Sequence, residues 1–243
     1  MSSCATFSMF YLASSLWPGK SPVCTSISAL RKNTNWMNQH CRFYTLETVA
    51  RMPYFSYISM LQLYETLGWW RRSSEAKRIH FAEEYNEFNH LLIMEALGGD
   101  QLWRVRFFAQ HAAVAYYFIL ILVWATSPSL AYNFSELIEA HAVDTYAEFA
   151  ESNKELLQTL EAPYVAKEYY ENIDLYIFDE FQTDKPKGSR RPEINSLYDV
   201  FLNIMEDEAA HVSTMNACQN ADITVVSSNT EAALNKVSHF KNE

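Results

Sequence analysis

His80-Phe-Ala-Glu-Glu-Tyr-Asn-Glu-Phe-Asn-His-Leu-Leu-Ile-Met-Glu-Ala-Leu-Gly-Gly99 is the stretch whose reading decides the fold class. Within it Glu87 and His90 stand three residues apart. On an α-helix, positions i and i+3 lie on one face about one turn apart, so a carboxylate and an imidazole can reach one point, where a metal ion would fit. Leu91, Leu92, Met94 and Leu97 supply an apolar face, and Gly98-Gly99 is a helix stop of the kind helices prefer at their C-terminus. A second copy, Glu208-x-x-His211, lies about 120 residues on, in another helical pattern. Two Glu-x-x-His helices and two helices giving one Glu each make the carboxylate di-iron arrangement of a helix bundle. Two further glutamates are therefore sought.

Glu47 is one candidate. It is a lone acid in the run Phe43-Tyr-Thr-Leu-Glu-Thr-Val-Ala50, and such a group is costly to bury without a partner. Residues 42–70 read as one long helix, with Pro53 near its first turns or at a kink. Glu65 is the rival, roughly 27 Å further along that helix, so only one of the two can serve a single site. Glu139, in the helical pattern over 134–155, is the fourth candidate. Tyr146 stands two turns beyond it on the same face, and its bland reading is a core tyrosine. Glu136, Asp144 and Glu148 read as solvated, and His141, pointing elsewhere, as a polar histidine or one standing behind the ligands.

Composition favours order. Apolar residues are 49 % and aromatic residues 15 % of the 243, while Gly and Pro are scarce, which suits a helix-rich globular domain rather than a disordered chain. Residues 1–46 hold no acid, so residues 47–243 carry 15 basic against 29 acidic side chains, a poor surface for nucleic acid. The four cysteines have neither CxxC spacing nor the density of a disulfide framework. Residues 1–35, rich in Ser and free of acid, read as a targeting segment, and 220–243 as a polar tail. The fourteen uncharged residues Ala112–Ala125 are too short to span a bilayer, which takes about 20. With Trp103, Arg104, Arg106 and Trp124 around them, they suit a helix lying in the membrane interface. Trp69-Trp70-Arg71-Arg72 has the same aromatic and basic character.

Composition alone predicts about 0.6 copies of Glu-x-x-His in such a chain, and short motifs recur by chance. Context separates these copies from chance. Each follows a polar group, Asn86 or Asp207, within an apolar-periodic helix. The competing reading is a set of helices with solvated glutamates and structural histidines.

Several segments resemble the alternative oxidase family, and its plastid branch in particular. They are Arg42-Phe-Tyr-Thr-Leu-Glu-Thr-Val-Ala-Arg-Met-Pro-Tyr-Phe55, Tyr64-Glu-Thr-Leu-Gly-Trp-Trp-Arg-Arg72, Asn86 to Glu95, Glu139-Ala-His-Ala-Val-Asp-Thr-Tyr146, Asp174-Leu-Tyr-Ile-Phe-Asp-Glu-Phe-Gln182, and Leu197 to Ile204 through Asp207-Glu-Ala-Ala-His211. The segment 174–182 and Glu139-Ala-His-Ala142 point to the plastid branch. The resemblance implies an all-α, ferritin-like antiparallel four-helix bundle over residues 36–219, with extra helices making a membrane-facing apolar surface. It implies two iron ions held by Glu47, Glu87, His90, Glu139, Glu208 and His211, with Asn86 and Asp207 orienting them from behind. Tyr146 would be a redox-active tyrosine, and Arg42, Leu46 and Thr145 would line a quinol pocket. The implied activity is oxidation of plastoquinol with reduction of O2 to water, without proton pumping. Monotopic attachment to the thylakoid membrane of a plastid follows from the same resemblance, which allows a homodimer. A quinone-ring hydroxylase and a ferritin-like iron store are the alternatives.

Overall fold

The computed structural model describes residues 34–69, 74–171 and 193–219, and these form helices and connecting turns without a strand. In chain order the helices are α1 Thr34–Ala50, α2 Met52–Leu67, α3 Ser74–Ala96, α4 Trp103–Thr126, α5 Pro128–Ser152, the short α6 Lys154–Thr159, α7 Tyr164–Glu171 and α8 Leu197–Cys218. The expected all-α bundle is present. The targeting segment up to residue 33, Trp70 to Arg72, the stretch 174–182 and the tail 220–243 lie outside the described residues.

The single helix expected over 42–70 is two. Pro53 has no N–H to donate to Val49, and its ring crowds that carbonyl, so regular helix stops at Ala50 and resumes at Met52. Arg51 keeps helical dihedrals at the joint, which is therefore a kink rather than a loop. Its guanidinium pairs with Glu84 and lies 4.7 Å over the Phe88 ring, tying the joint to α3. Glu65, beyond the kink, pairs with Lys77 at the surface.

Local chemistry sets the other ends. Gly98 takes φ 91°, which a side chain would strain. At Gly99, a Cβ would sit 2.6 Å from the His40 carbonyl and 2.7 Å from Tyr44 Cβ. That glycine lets α1 press against the end of α3. Ser127 alone separates α4 from α5. Its hydroxyl accepts from the Leu130 N–H, and Pro128 fills the first turn, where a missing N–H costs nothing. The fifth helix thus begins six residues earlier than the pattern over 134–155 suggested. A capping box between Ser196 and Asp199 starts α8.

Helices α1, α3, α5 and α8 make the bundle; α8 packs most extensively along α5, and α3 packs along α1 and, to a similar extent, α2. Two apolar clusters fill it. Along α5, Ala131 and Tyr132 belong to one and Tyr146 and Phe149 to the other, with Glu139 between them. Along α8, Phe201 and Ile204 precede Glu208, and Met215 and Cys218 follow His211. Helix α4 lies outside the bundle, against α1, α2 and α5. Counting only its uncharged run understated it: the whole 24-residue helix is long and apolar enough to cross a bilayer by length and composition. Its inner edge, Ala109, Ala113, Leu120 and Trp124, is buried along nearly its full length. Its outer side exposes Phe108, Val114, Phe118, Ile119 and Leu122, and the neighbouring α2 and α5 expose Leu63 and Leu137.

Candidate metal centre

Six buried side chains from four helices meet in the middle of the bundle. Glu47, Glu87, His90 and Glu208 form one group, and Glu87, Glu139, Glu208 and His211 a second, each with its candidate ligand atoms within 4.8 Å of one another. Glu87 and Glu208 belong to both. Each group therefore adds one glutamate and one histidine of its own to a shared pair of carboxylates, the geometry of two neighbouring ion positions. His90 Nδ1 lies 3.2 Å from Glu208 Oε1, and His211 Nδ1 lies 3.0 Å from Glu87 Oε1. Each motif's histidine thus faces the other motif's glutamate, which requires α3 and α8 to run antiparallel.

The same reciprocity extends to two phenols. Tyr146, seven residues after Glu139, donates its hydroxyl to Glu47 Oε1 rather than to its own helix's carboxylate. Tyr54, seven residues after Glu47, donates to Glu139 Oε1 at 2.8 Å. Sequence reasoning singled out Tyr146 and missed Tyr54, although the seven-residue spacing from a candidate glutamate is identical. Behind His90, its Nε2 meets Asp207 Oδ2 at 3.2 Å. That oxygen also accepts from Asn86 Nδ2 at 3.0 Å and from the Tyr170 hydroxyl at 2.9 Å. Asn86 donates to the Tyr169 hydroxyl as well. Asn86 and Asp207 thus sit together where they hold the His90 ring, and α7 contributes both tyrosines.

The donor set fits a pair of divalent cations. Glu47 Oε2, both oxygens of Glu87 and of Glu208, Glu139 Oε2 and His90 Nδ1 are buried with no partner in hydrogen-bond geometry, an expensive state for polar atoms. Four carboxylates balance two dications in charge, and the imidazoles add neutral donors. The electrostatics agree. Burial, then repulsion from Glu87 and Glu208, pushes the Glu47 carboxyl well above its ordinary range. Burial, Glu208 and Glu87 do the same to Glu139. Burial would also raise Glu208, but contacts from His211 and His90 outweigh it and hold the group at about 2. For His90, burial is overcome by Asp207 and Glu208, which push it up to about 9.

A cavity of about 290 Å³ opens beside the centre. Arg42, Leu46 and Thr145 all line it, together with Phe43, His141 and Glu148. His141, read as pointing elsewhere, turns to this cavity rather than to the ion positions. Phe43 stacks on Tyr146 with centroids 4.6 Å apart and planes at 19°, so one ring separates the cavity from a phenol that touches Glu47. Glu136, read as solvated, instead accepts from Asn216 and Gln219 at the end of α8.

A family model described as alternative oxidase matches residues 21–220. The chain belongs to the alternative oxidase family. A relative described as ubiquinol oxidase 4, chloroplastic/chromoplastic, from Arabidopsis thaliana, is 53 % identical over 180 residues, 74 % of this chain and 51 % of the relative. The chain thus spans about half the length of the curated relative it matches. No solved structure matches it. In this alternative oxidase chain, Glu47 and not Glu65 joins the cluster, because the kink at Arg51 and the pairing with Lys77 keep Glu65 at the surface. Tyr54, Tyr169 and Tyr170 are the site's additional polar contacts, and their only sequence signal is a helical spacing that many core tyrosines share.

Proposed function

We propose that this chain is a quinol:oxygen oxidoreductase that oxidises plastoquinol and reduces O2 to water at a di-iron centre held by Glu47, Glu87, His90, Glu139, Glu208 and His211. The observation that carries the reading is the pair of carboxylate–histidine groups sharing Glu87 and Glu208, in a member of the alternative oxidase family. The relative's name specifies ubiquinol and a plastid; plastoquinol rests on the plastid-branch resemblance. Iron bound here would accept electrons and offer O2 a binding position, a role that hard carboxylates with few imidazoles suit.

The rest is done by side chains. Arg42 and Thr145 orient the quinol's oxygens in the cavity, against the apolar wall of Leu46 and Phe43. Asp207 and Asn86 hold His90 in one ring orientation, as the groups behind a metal's ligands do. Tyr146 holds its phenol O–H against Glu47 Oε1, can give up one proton and one electron at that end, and regains both from quinol across the Phe43 stack. Two quinols, each giving two electrons and two protons, convert one O2 to two waters.

The exposed face of α4 gives this body a membrane-binding side. Its inner edge is packed on three helices, and crossing the bilayer would drag their polar surfaces into hydrocarbon. The reading is therefore monotopic attachment, on the thylakoid surface of a plastid, with no charge carried across the membrane. A homodimer is part of the reading carried by the resemblance alone. An iron store would leave that apolar face without a purpose.

Oxygen uptake by the purified, iron-loaded protein given plastoquinol tests the proposal, with quinone as the expected product. A hydroxylated ring would indicate the hydroxylase alternative, and quinol-independent iron uptake without oxidation would indicate storage.

A further inference from the structure

The oxidase reading assigns a task to Tyr146 and none to Tyr54, yet both phenols meet a carboxylate of the centre. Tyr54 is fully buried and donates to Glu139 Oε1, and its ring lies 5.2 Å from that of His211. It lies away from the quinol cavity. That cavity is lined by residues before Glu47 on α1 and after Glu139 on α5, whereas Tyr54 follows Glu47 and packs with Tyr132, which precedes Glu139.

Behind Tyr54 stands a row of aromatic rings, phenols and indoles reached across the imidazole of His80. His80 lies 6.4 Å from Tyr54 and stacks on Tyr132 at 5.6 Å, its Nε2 3.1 Å from the Tyr132 hydroxyl and its Nδ1 2.9 Å from the buried Glu83. Tyr132 meets Tyr57 at 4.6 Å. Tyr64, two turns further along α2 and packed against the same cluster, meets Trp124 at 5.0 Å and Trp69 at 5.6 Å. Trp69 is 69 % exposed. Between Tyr57 and Tyr64 the row has one longer step, about 10 Å along α2; the other steps are ring contacts, and because electron transfer weakens steeply with distance, such a series succeeds where a single long step would fail.

We propose that Tyr54 is a second oxidisable tyrosine of the metal centre, and that the aromatic row behind it passes oxidising equivalents to the surface at Trp69 when quinol is lacking. This rests on the oxidase reading and extends it. Reducing O2 to two waters takes four electrons and four protons. When a quinol fails to supply its share, the Tyr54 O–H bond gives one electron and one proton to the oxygen being reduced, leaving a neutral tyrosyl radical. An electron from Tyr132, passed across His80, with a proton returned by Glu139 Oε1, the acceptor of the Tyr54 hydrogen bond, restores the phenol. The hole ends at Trp69, where a water-soluble one-electron reductant such as ascorbate refills it and releases to water a proton that balances the one taken up at Glu139.

The test mixes reduced, iron-loaded protein with O2 in the absence of quinol and follows tyrosyl radicals by electron paramagnetic resonance. Tyr146→Phe retains a tyrosyl signal, and adding Tyr54→Phe removes it. In Tyr146→Phe, ascorbate quenches that signal, and Trp69→Leu slows the quenching by at least an order of magnitude. Trp69 is a surface residue, so this variant reports even where Tyr54→Phe does not fold. Consumption of O2 with no tyrosyl signal in Tyr146→Phe overturns the role of Tyr54, and unchanged quenching in Trp69→Leu overturns the route. An iron-loaded wild type that consumes no O2 overturns the oxidase reading itself, and this inference with it.

Discussion

Tyr146 of α5 donates its hydroxyl to Glu47 of α1, while its ring stacks on Phe43 of the cavity wall. One side chain thus touches the carboxylate cluster at its polar end and the cavity lining at its apolar face.

Tyr146→Phe removes the hydroxyl and leaves the stack. Loss of one buried hydrogen bond should cost about 1 kcal/mol of stability. We expect iron content near the wild-type value and quinol oxidation lowered by an order of magnitude or more. Wild-type turnover in the iron-loaded variant would assign the residue to packing.

Shared and unshared carboxylates should behave differently. Glu87 and Glu208 belong to both ligand groups, Glu47 and Glu139 to one each. Glu87→Ala or Glu208→Ala is expected to lose both ions and all oxidase activity. Glu47→Ala should retain one ion per chain without turnover. Metal analysis of the purified variants distinguishes these outcomes, and equal losses in all three would contradict two positions bridged by a common pair.

Attachment to one leaflet can be checked with sealed vesicles. Protease added on one side should cut the protein throughout, and protease trapped inside should not reach it. Phe118→Glu with Leu122→Glu, both on the exposed side of α4, should release the protein from vesicles without changing its helix content. Cleavage from both sides would show that α4 crosses.

Metal removal should reverse the pH dependence of stability. The Glu47 and Glu139 carboxyls are raised in the fold, chiefly by burial, so their contribution is complete below the ordinary 4.5 and is lost as pH rises. His90 is raised from 6.5 to about 9 by Asp207 and Glu208 against burial. Its contribution is complete below 6.5 and is lost through about 9. All three act in one direction, so melting of the metal-free protein should fall from about pH 6 to about pH 9. Metal binding needs these groups deprotonated, so affinity rises with pH, and the iron-loaded protein should hold or gain stability over the same range. Parallel melting curves for the two forms would refute the assignment of these groups to metal binding.

The Glu-x-x-His pairs were legible in the chain because i and i+3 meet on a helix whatever surrounds it. The helix stop at Gly98-Gly99 was equally local, though the need for Gly99 comes from α1 passing within contact of it. Which lone glutamate joins the pairs was not local. Glu47 and Glu65 were both candidates until the kink before Pro53 and the Lys77 ion pair separated them. Counting only uncharged residues understated α4, and whether it lies along the bundle depends on Ala109, Ala113, Leu120 and Trp124 finding partners on other helices. Tyr54 and Tyr146 carry the same seven-residue spacing from a glutamate, and each bonds the other's. Spacing along one helix determines which side chains share a face. Only the antiparallel packing of separate helices decides what that face meets.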